Sequence, residues 1–461
     1  MIRLFKHYVP HAVLLLGIVD FVLLIAAAEF GWQFRLWQIG SVPEAIRTRI
    51  PQLLSFAVAL ECAMVSVGVY SGEALQSLRF AAARLLVAIS LGVIFISVMF
   101  FLFPELTLWR SNSVYAMALA FVLLMTMRVL FSGLGRHAFK RRLLVLGAGR
   151  RASRIRDLAK ARGAGFLVVG YVAMNEGPLL ISSAINRDAI ESLAEHVVNL
   201  AASEVVLALD ERRNALPLGD LLRIKTTGVH VNDLSSFLER ETGRVDLDTV
   251  NPSWLIFSDG FSAGRRLSGA AKRLFDVAVS LVLLLLCAPL IVVTAILIKF
   301  ESRGGVLYRQ ERVGLFGQTY WVPKLRSMRA DAELAGQAVW AEKDDPRITR
   351  IGRFIRKVRI DELPQLWSVL KGEMSFVGPR PERPQFVAEL ERDLPYYAER
   401  HMVKPGITGW AQINYPYGAN LEDARHKLEY DLYYAKNYTP FLDILILLQT
   451  VRVLLWPDGA R

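Results

Sequence analysis

Cysteine is almost missing from this chain. There are two in 461 residues, Cys62 and Cys287, each inside an apolar run, which argues against a disulfide framework or a cysteine-based metal site. Histidine is scarce too, seven in all, and scattered without zinc spacing. No stretch interleaves basic and aromatic residues as a nucleic-acid module would, so no nucleic acid is expected as a partner. Charged residues make up only 21% against 53% hydrophobic. Mean hydropathy is +0.33, high for a soluble protein, which implies a membrane part joined to soluble parts. Acidic residues are the minority charge, 43 against 55 Lys and Arg, leaving a formal +12. Beside such apolar segments, that excess suits anionic phospholipid surfaces and phosphorylated substrates better than nucleic acid.

What is there begins with four apolar runs, at roughly 12–30, 52–70, 84–103 and 113–131, each long enough for a tilted transmembrane helix. The first ten residues lack the small-residue cleavage site of a signal peptide, so the first run is read as retained. Arg3 and Lys6 precede it, Arg79 and Arg84 flank the second turn, and Arg136, Lys140, Arg141 and Arg142 follow the fourth run. These favour a cytoplasmic N-terminus, whereas Arg35, Arg47 and Arg49 run against that orientation. Asp20 and Glu29, in or near the first run, are assigned interfacial or helix-packing roles, with a functional role as the alternative.

Residues 140–255 read as an α/β, Rossmann-like domain. Leu143-Leu144-Val145-Leu146-Gly147-Ala148-Gly149-Arg150-Arg151-Ala152 has the strand, tight turn and helix of the relaxed dinucleotide fingerprint. Further strands are expected at 166–172 and 205–209, with a fourth at 229–231. No acidic residue closes the second strand cleanly; Asn175 and Glu176 are the nearest. The expectation is a domain that keeps the fold without bound NAD.

A second kind of apolar segment spans 277–298. Its roughly 22 residues would reach about 33 Å as a straight helix. Pro289 near the middle removes a helix hydrogen bond and favours a kink. Both flanks are basic: Arg265, Arg266, Lys272 and Arg273 before, Lys299, Arg303, Arg309 and Arg312 after. A helix returning to one membrane face fits this better than a crossing, which remains the alternative.

The chain is organised around Asp361-Glu362-Leu363-Pro364-Gln365-Leu366. Two adjacent carboxylates stand at an expected helix start, with Asp361 as an N-cap type, among Arg353, Arg356, Lys357, Arg359, Lys371 and Arg380. Such a field suits phosphate and keeps a carboxylate ionised. An ionised Asp beside a phosphate and a divalent cation is a nucleophile for phosphorus; a capped surface helix with solvated charges is the plain alternative. Gly378-Pro379-Arg380-Pro381 reads as a rigid turn that fixes one guanidinium. Residues 421–436 read as a polar helix carrying Tyr430, Tyr433 and Tyr434. Residues 441–456 are strongly apolar, suited to the membrane surface or to the domain core.

Together with Lys324-Leu325-Arg326-Ser327-Met328, these motifs resemble the bacterial sugar transferase family, the monotopic polyprenyl-phosphate phosphoglycosyl transferases, over roughly residues 268–456. The four-span N-terminal region resembles the long, exopolysaccharide-initiating branch. The resemblance implies a membrane protein of α plus α/β class. Its parts would be four transmembrane helices in 1–135, the Rossmann-like accessory domain, and a re-entrant membrane helix (274–299) with an α/β catalytic domain in 268–461. It implies transfer of a sugar-1-phosphate from a UDP-sugar to undecaprenyl or another polyprenyl phosphate, with release of UMP, at the cytoplasmic face of a bacterial inner membrane. Asp361 would be the nucleophile that forms an aspartyl phosphosugar, and Glu362 its metal or acid–base partner. Both would meet Mg2+, and Arg356, Arg380 and Lys324 would hold phosphate or nucleotide. Pro289 matches the break of the family's re-entrant helix, although Ala288 stands where a Ser is frequent. Arg359 replaces a small hydroxyl residue. A homodimer through the spans or the middle domain is an expectation that no residue pattern carries.

Two competing functions remain open on sequence. A membrane-bound NAD-dependent nucleotide-sugar dehydratase or epimerase needs Tyr-x-x-x-Lys on a helix; the match is Tyr320 to Lys324, with Pro323 inside it. An inactive scaffold for polysaccharide assembly predicts loss of Asp361 or Arg380, yet both are present.

Overall fold

The computed structural model describes residues 2–4, 7–42, 45–138, 140–161, 164–174, 179–210, 216–250, 266–329, 347–416, 418 and 420–455. Asn175 and Glu176 of the middle domain, and Trp456, lie outside them. The chain divides into two units, Met1–Gly243 and Arg244–Arg461.

The first unit opens with an antiparallel pair, β1 (Ile2–Leu4) and β2 (His7–Val9). Long helices follow: α1 (His11–Ile39), α2 (Ile50–Val67), the short α3 (Gly72–Gln76), α4 (Leu78–Leu102) and α5 (Arg110–Ala138). Together with one helix of the second unit, α1, α2, α4 and α5 make five described helices long and apolar enough to cross a membrane. Alanines and leucines such as Ala27, Ala28, Ala57, Leu60, Ala88 and Ala120 fill the bundle core. A Cβ on Gly31 would sit 2.7 Å from the Asn112 carbonyl oxygen, so that glycine lets α1 approach α5. The acidic residues of α1 are paired, as packing residues must be in an apolar bundle. Asp20 takes two bonds from Arg128, at 3.1 and 2.6 Å, and Tyr70 joins Asp20 to Glu61. Glu29 pairs with Arg49 at 2.5 Å, which neutralises one of the three arginines that run against the orientation rule.

Next comes a five-stranded parallel sheet in the order β5-β4-β3-β6-β7. Its strands are β3 (Arg141–Leu146), β4 (Phe166–Ala173), β5 (Ile185–Asn186), β6 (Glu204–Leu207) and β7 (His230–Asp233). Alternate side chains of β3 serve opposite layers. Leu143 and Val145 pack with α6 (Arg150–Lys160) and α9 (Leu234–Thr242). Leu144 and Leu146 pack with α7 (Leu193–Asn199) and α8 (Leu218–Thr226). This is the expected α/β, Rossmann-like parallel sheet, plus a two-residue strand too short to leave a sequence signal. The second unit opens with residues 244–250, where the Val245 amide donates to the Glu429 carbonyl at 3.0 Å and Val245 and Leu247 enter the core of their own unit.

The first helix of the second unit is α10 (Arg266–Glu301), helical throughout with Pro289 inside. An antiparallel hairpin follows, β8 (Leu307–Val313) and β9 (Thr319–Leu325). Then come α11 (Arg350–Lys357), α12 (Gln365–Lys371), β10 (Ser375–Val377), α13 (Pro384–Asp393), β11 (Gly406–Thr408), α14 (Trp410–Asn414), α15 (Leu421–Asn437) and α16 (Pro440–Leu455). β10 and β11 pair in parallel. Local chemistry sets the boundaries. Thr349 caps α11 by accepting from the Gly352 amide, Gly372 ends α12 at φ 89°, and Asn420 with Asp423 forms a capping box on α15. Of the tyrosines on α15, Tyr433 and Tyr434 are core residues. The apolar C-terminal helix α16 turns Leu442 and Ile446 into the same core, so core packing claims one of its faces while Ile444 stays exposed.

Candidate active site

Three segments of the second unit converge. β9 delivers Lys324, the turn between α11 and α12 delivers Asp361 and Glu362, and the turn after β10 delivers Arg380. The pair does not start a helix as expected. Ile360–Glu362 is a single 3-10 turn, and Pro364, not Asp361, precedes α12. Arg359 enters that turn at φ 61°, a left-handed conformation uncommon for a residue with a Cβ. It thereby aims its successors' carboxylates inward while its own side chain stays 58% exposed.

Glu362 is the hub. Its Oε1 lies 3.4 Å from Lys324 Nζ, 3.3 Å from Arg380 Nη2 and 3.6 Å from Arg359 Nη1. Burial alone would raise its carboxyl, but Arg380, Lys324 and Arg359 outweigh that and hold it at about 2. Asp361 has the opposite balance. It is 8% exposed, and its Oδ1 accepts no hydrogen bond from any described residue. Burial and the neighbouring Glu362 charge push its pKa up, against the pull of Lys324, Arg359 and Arg356. The basic ring therefore ionises Glu362 firmly and leaves Asp361 poorly solvated. Arg356 acts on Asp361 through its charge. Burial lowers Lys324, with Glu362 as its counterweight.

The Arg380 turn is held by backbone. Gly378 donates to the Thr408 carbonyl and Gly406 to the Pro379 carbonyl, both at 2.9 Å. A Cβ on Gly378 would overlap the Lys404 carbonyl oxygen, so glycine is required there by close approach. Sequence reasoning missed the buried clamp behind this turn. Arg400 donates to the Arg380 carbonyl at 3.0 Å, to Asp431 at 2.7 Å and to the Tyr397 hydroxyl at 2.9 Å. It also missed Arg312 and Gln365, which line one crevice with Lys324 and Arg380. On sequence Arg312 is only a charge flanking the apolar segment, although its alternation with Gln310 along β8 is legible. The Arg312 guanidinium bonds the Pro381 carbonyl at 3.0 Å.

The crevice therefore presents cations, and Glu362, bonded to its Lys324 and Arg380, is a locked carboxylate next in sequence to the poorly satisfied Asp361. That suits an anionic phosphate ligand and an oxygen nucleophile. No group of three or more His, Cys, Asp or Glu suited to a metal occurs among the described residues. Two adjacent carboxylates still fit Mg2+, which keeps waters and takes one or two carboxylates beside substrate phosphates.

The dinucleotide fingerprint is filled from within. Asp210 accepts from the Arg150 amide at 2.7 Å and the Arg151 amide at 2.9 Å, where a pyrophosphate would sit on a helix N-terminus. A Cβ on Gly149 would overlap Asp210 Oδ2, so this glycine serves an internal carboxylate. Tyr320 and Lys324 lie on strand β9, which removes the helical Tyr-x-x-x-Lys that the dehydratase reading needs.

Residues 267–457 match the family described as bacterial sugar transferase. The chain is 42% identical over 241 residues to the UDP-N-acetylgalactosamine-undecaprenyl-phosphate N-acetylgalactosaminephosphotransferase of Aeromonas hydrophila, covering 52% of this chain and 56% of that protein. It is 46% identical over 186 residues to the undecaprenyl-phosphate glucose phosphotransferase of Komagataeibacter xylinus, covering 39% and 35%. It is 41% identical over 194 residues to an uncharacterized sugar transferase of Bacillus subtilis, covering 41% of this chain and 90% of that protein. The chain thus spans about half or less of the first two relatives and nearly all of the third. With its motifs brought together where Glu362 meets Lys324 and Arg380, and with a match of this extent, the chain belongs to the bacterial sugar transferase family.

Proposed function

We propose that this protein transfers a sugar-1-phosphate from a UDP-sugar to a polyprenyl phosphate such as undecaprenyl phosphate, releasing UMP, as the first step of a surface glycan. The observation that carries this reading is the pairing of a poorly satisfied Asp361 with a Glu362 locked between Lys324 and Arg380. Arg380, Lys324 and Arg356 hold the donor's diphosphate. An Asp361 oxygen attacks the phosphorus that bears the sugar; the new O–P bond forms as the bond to the UMP oxygen breaks, and UMP leaves as an anion. An oxygen of the polyprenyl phosphate then attacks the same phosphorus and returns Asp361 to its carboxylate, giving polyprenyl-diphospho-sugar. Using one carboxylate twice means that the aqueous and lipid substrates never need to meet. Glu362 stays ionised throughout, which fits an orienting and metal-holding role better than proton transfer. Mg2+, held by Asp361 and Glu362, would neutralise phosphoryl oxygens of the donor.

The segment around Pro289 is read as re-entrant and the catalytic unit as cytoplasmic. In support, both ends of α10 are bound by the same unit. Asp276 accepts from Ser375 and Phe376 near one end, and Glu301 accepts from the Arg350 and Ile351 amides at the other. A helix crossing a bilayer delivers its ends to opposite faces, about 30 Å apart. Four preceding spans would return the chain to the side of its N-terminus.

The test is UMP release from membranes holding the protein, with undecaprenyl phosphate, Mg2+ and a panel of UDP-sugars. Release that needs one sugar, stops with Asp361→Asn and stops with EDTA is expected. Full activity in Asp361→Asn would overturn the nucleophile assignment; silence across the panel with folded protein would overturn the transferase reading.

A further inference from the structure

On sequence, Lys272 and Arg273 are two of the basic residues bordering an apolar segment, the kind of charge that faces lipid headgroups. The structure turns them the other way. Lys272 Nζ lies 2.5 Å from Asp443 Oδ2 and 3.2 Å from both the Tyr434 hydroxyl and the Val377 carbonyl. One turn on, Asp276 is 3% exposed and accepts from Ser375 Oγ at 3.0 Å and the Phe376 amide at 3.2 Å. Between them, the Arg273 guanidinium forks onto the Val369 and Leu370 carbonyls at 2.6 and 2.5 Å.

The partners define what is gripped. Ser375 to Val377 is β10, which runs directly into Gly378, Pro379 and Arg380. Val369 and Leu370 belong to α12, whose first residue, Gln365, comes three places after Glu362. One turn of the membrane helix therefore clasps both limbs that carry the crevice. Stability does not explain this choice. A buried ion pair such as Lys272 with Asp443 gains little over an apolar contact of the same shape, whereas it fixes register, because no neighbouring register satisfies the charges. Slipping α10 by one residue would displace each donor by about 1.5 Å along the axis.

We infer that Lys272, Arg273 and Asp276 are positioning residues that set the depth of the membrane helix against the Asp361 and Arg380 limbs, and so the height of the crevice above the lipid surface. This rests on the transferase reading. A nucleotide sugar arrives from water and is indifferent to that height; a phosphate carried on a lipid tail is not. The clasp therefore governs the second displacement and leaves the first alone.

The experiment uses the full chain in nanodiscs and measures two quantities: exchange of labelled UMP into UDP-sugar without acceptor, which reports the first displacement, and transfer as a function of the surface mole fraction of undecaprenyl phosphate. The variants are Asp276→Ala, its conservative control Asp276→Asn, whose amide oxygen can still accept both bonds, and the double variant Lys272→Met with Asp443→Leu, which leaves no orphaned charge if single changes fail to fold. Exchange within about twofold of wild type, with KM for the acceptor raised on the order of tenfold or more in Asp276→Ala and the double variant but not in Asp276→Asn, is expected. Loss of exchange and transfer in the same proportion, or an unchanged acceptor KM, would overturn the clasp while leaving the transferase reading intact. Absence of exchange in wild type with every donor that supports transfer would overturn the two-step reading and the clasp with it.

Discussion

The clamp behind Arg380 allows stability and substrate positioning to be separated. Arg400 and Asp431 are both buried, with Nη2 and Nε of the guanidinium 2.7 and 3.1 Å from one carboxylate oxygen. Replacing Asp431 by Leu strands a guanidinium in the core, a change that costs about 3–5 kcal/mol. In a unit of this size each kcal/mol shifts Tm by about 2–4 °C, so a loss of roughly 6–20 °C is expected. Adding Arg400→Met removes the stranded charge, and apolar replacement of a buried pair is neutral or stabilising by about 1–4 kcal/mol, so Tm should return. The Arg380 carbonyl, however, has then lost its donor. A hydrogen bond of about 0.5–1.5 kcal/mol held that turn, so KM for the UDP-sugar should stay raised by about two- to tenfold even in the stable double variant. Melting of the catalytic unit, followed by its protection from proteolysis, and donor titration of UMP release are the two assays. A double variant that recovers both Tm and donor KM would refute the claim that Arg400 positions Arg380, and an Asp431→Leu protein as stable as wild type would refute the burial argument itself.

Other consequences follow from the same charges. The folded-state pKa of Asp361 is raised, so its ionised form opposes folding above the ordinary carboxylate range; Asp361→Asn should raise Tm at neutral pH while abolishing UMP release, and a lower Tm there would contradict the burial reading. For Glu362 the sign is reversed: its pKa falls from 4.5 to about 2, a contribution on the order of 3 kcal/mol. That contribution is fully present above the unfolded value and lost as pH falls toward 2, so acid melts of Glu362→Gln should lack this part of the pH dependence. Asp210→Ala strips two amides of their acceptor and should cost the middle domain about 1–2 kcal/mol, measured by amide exchange along α6. Stoichiometric NAD binding by wild type in calorimetry would show that Asp210 yields its place.

How much was legible follows the range of the interactions. The long spans, the sheet strands and the Gly378 turn were readable because periodicity, fingerprint and turn chemistry are local. The identity of Asp361, Glu362, Lys324 and Arg380 was readable as linear motifs, and the fold brings Glu362 within 3.3–3.4 Å of Lys324 and Arg380. What escaped was pairing across distance. Asp210 lies sixty residues from Arg150, Arg400 reaches Asp431 over thirty-one, and Lys272 reaches Asp443 over 171. Each looks like a solvated charge until its partner is known. The 3-10 turn at Ile360 escaped for another reason: Asp is a fair N-cap type, but Arg359 in a left-handed conformation redirects the chain before α12 can begin.

The same turn explains how neighbouring carboxylates come to differ. With both side chains free in water, Asp361 and Glu362 would ionise nearly alike. A 3-10 turn rotates successive side chains by about 120°, so only one of the two can face the Lys324 and Arg380 groups. Glu362, longer by a methylene, takes that direction and spends the cations; Asp361 is left buried with an unbonded oxygen and a like charge beside it. A carboxylate so placed is poorly solvated in its resting state, and in the proposed reaction bonding one of its oxygens to phosphorus would remove the charge that the site disfavours. The strain at Arg359, the depressed Glu362 and the raised Asp361 are therefore one device, and a residue at 359 that relaxes the left-handed turn should bring the two carboxyls closer in pKa while slowing UMP release. Glycine at that position, which adopts the same conformation without strain, should leave the division of roles in place.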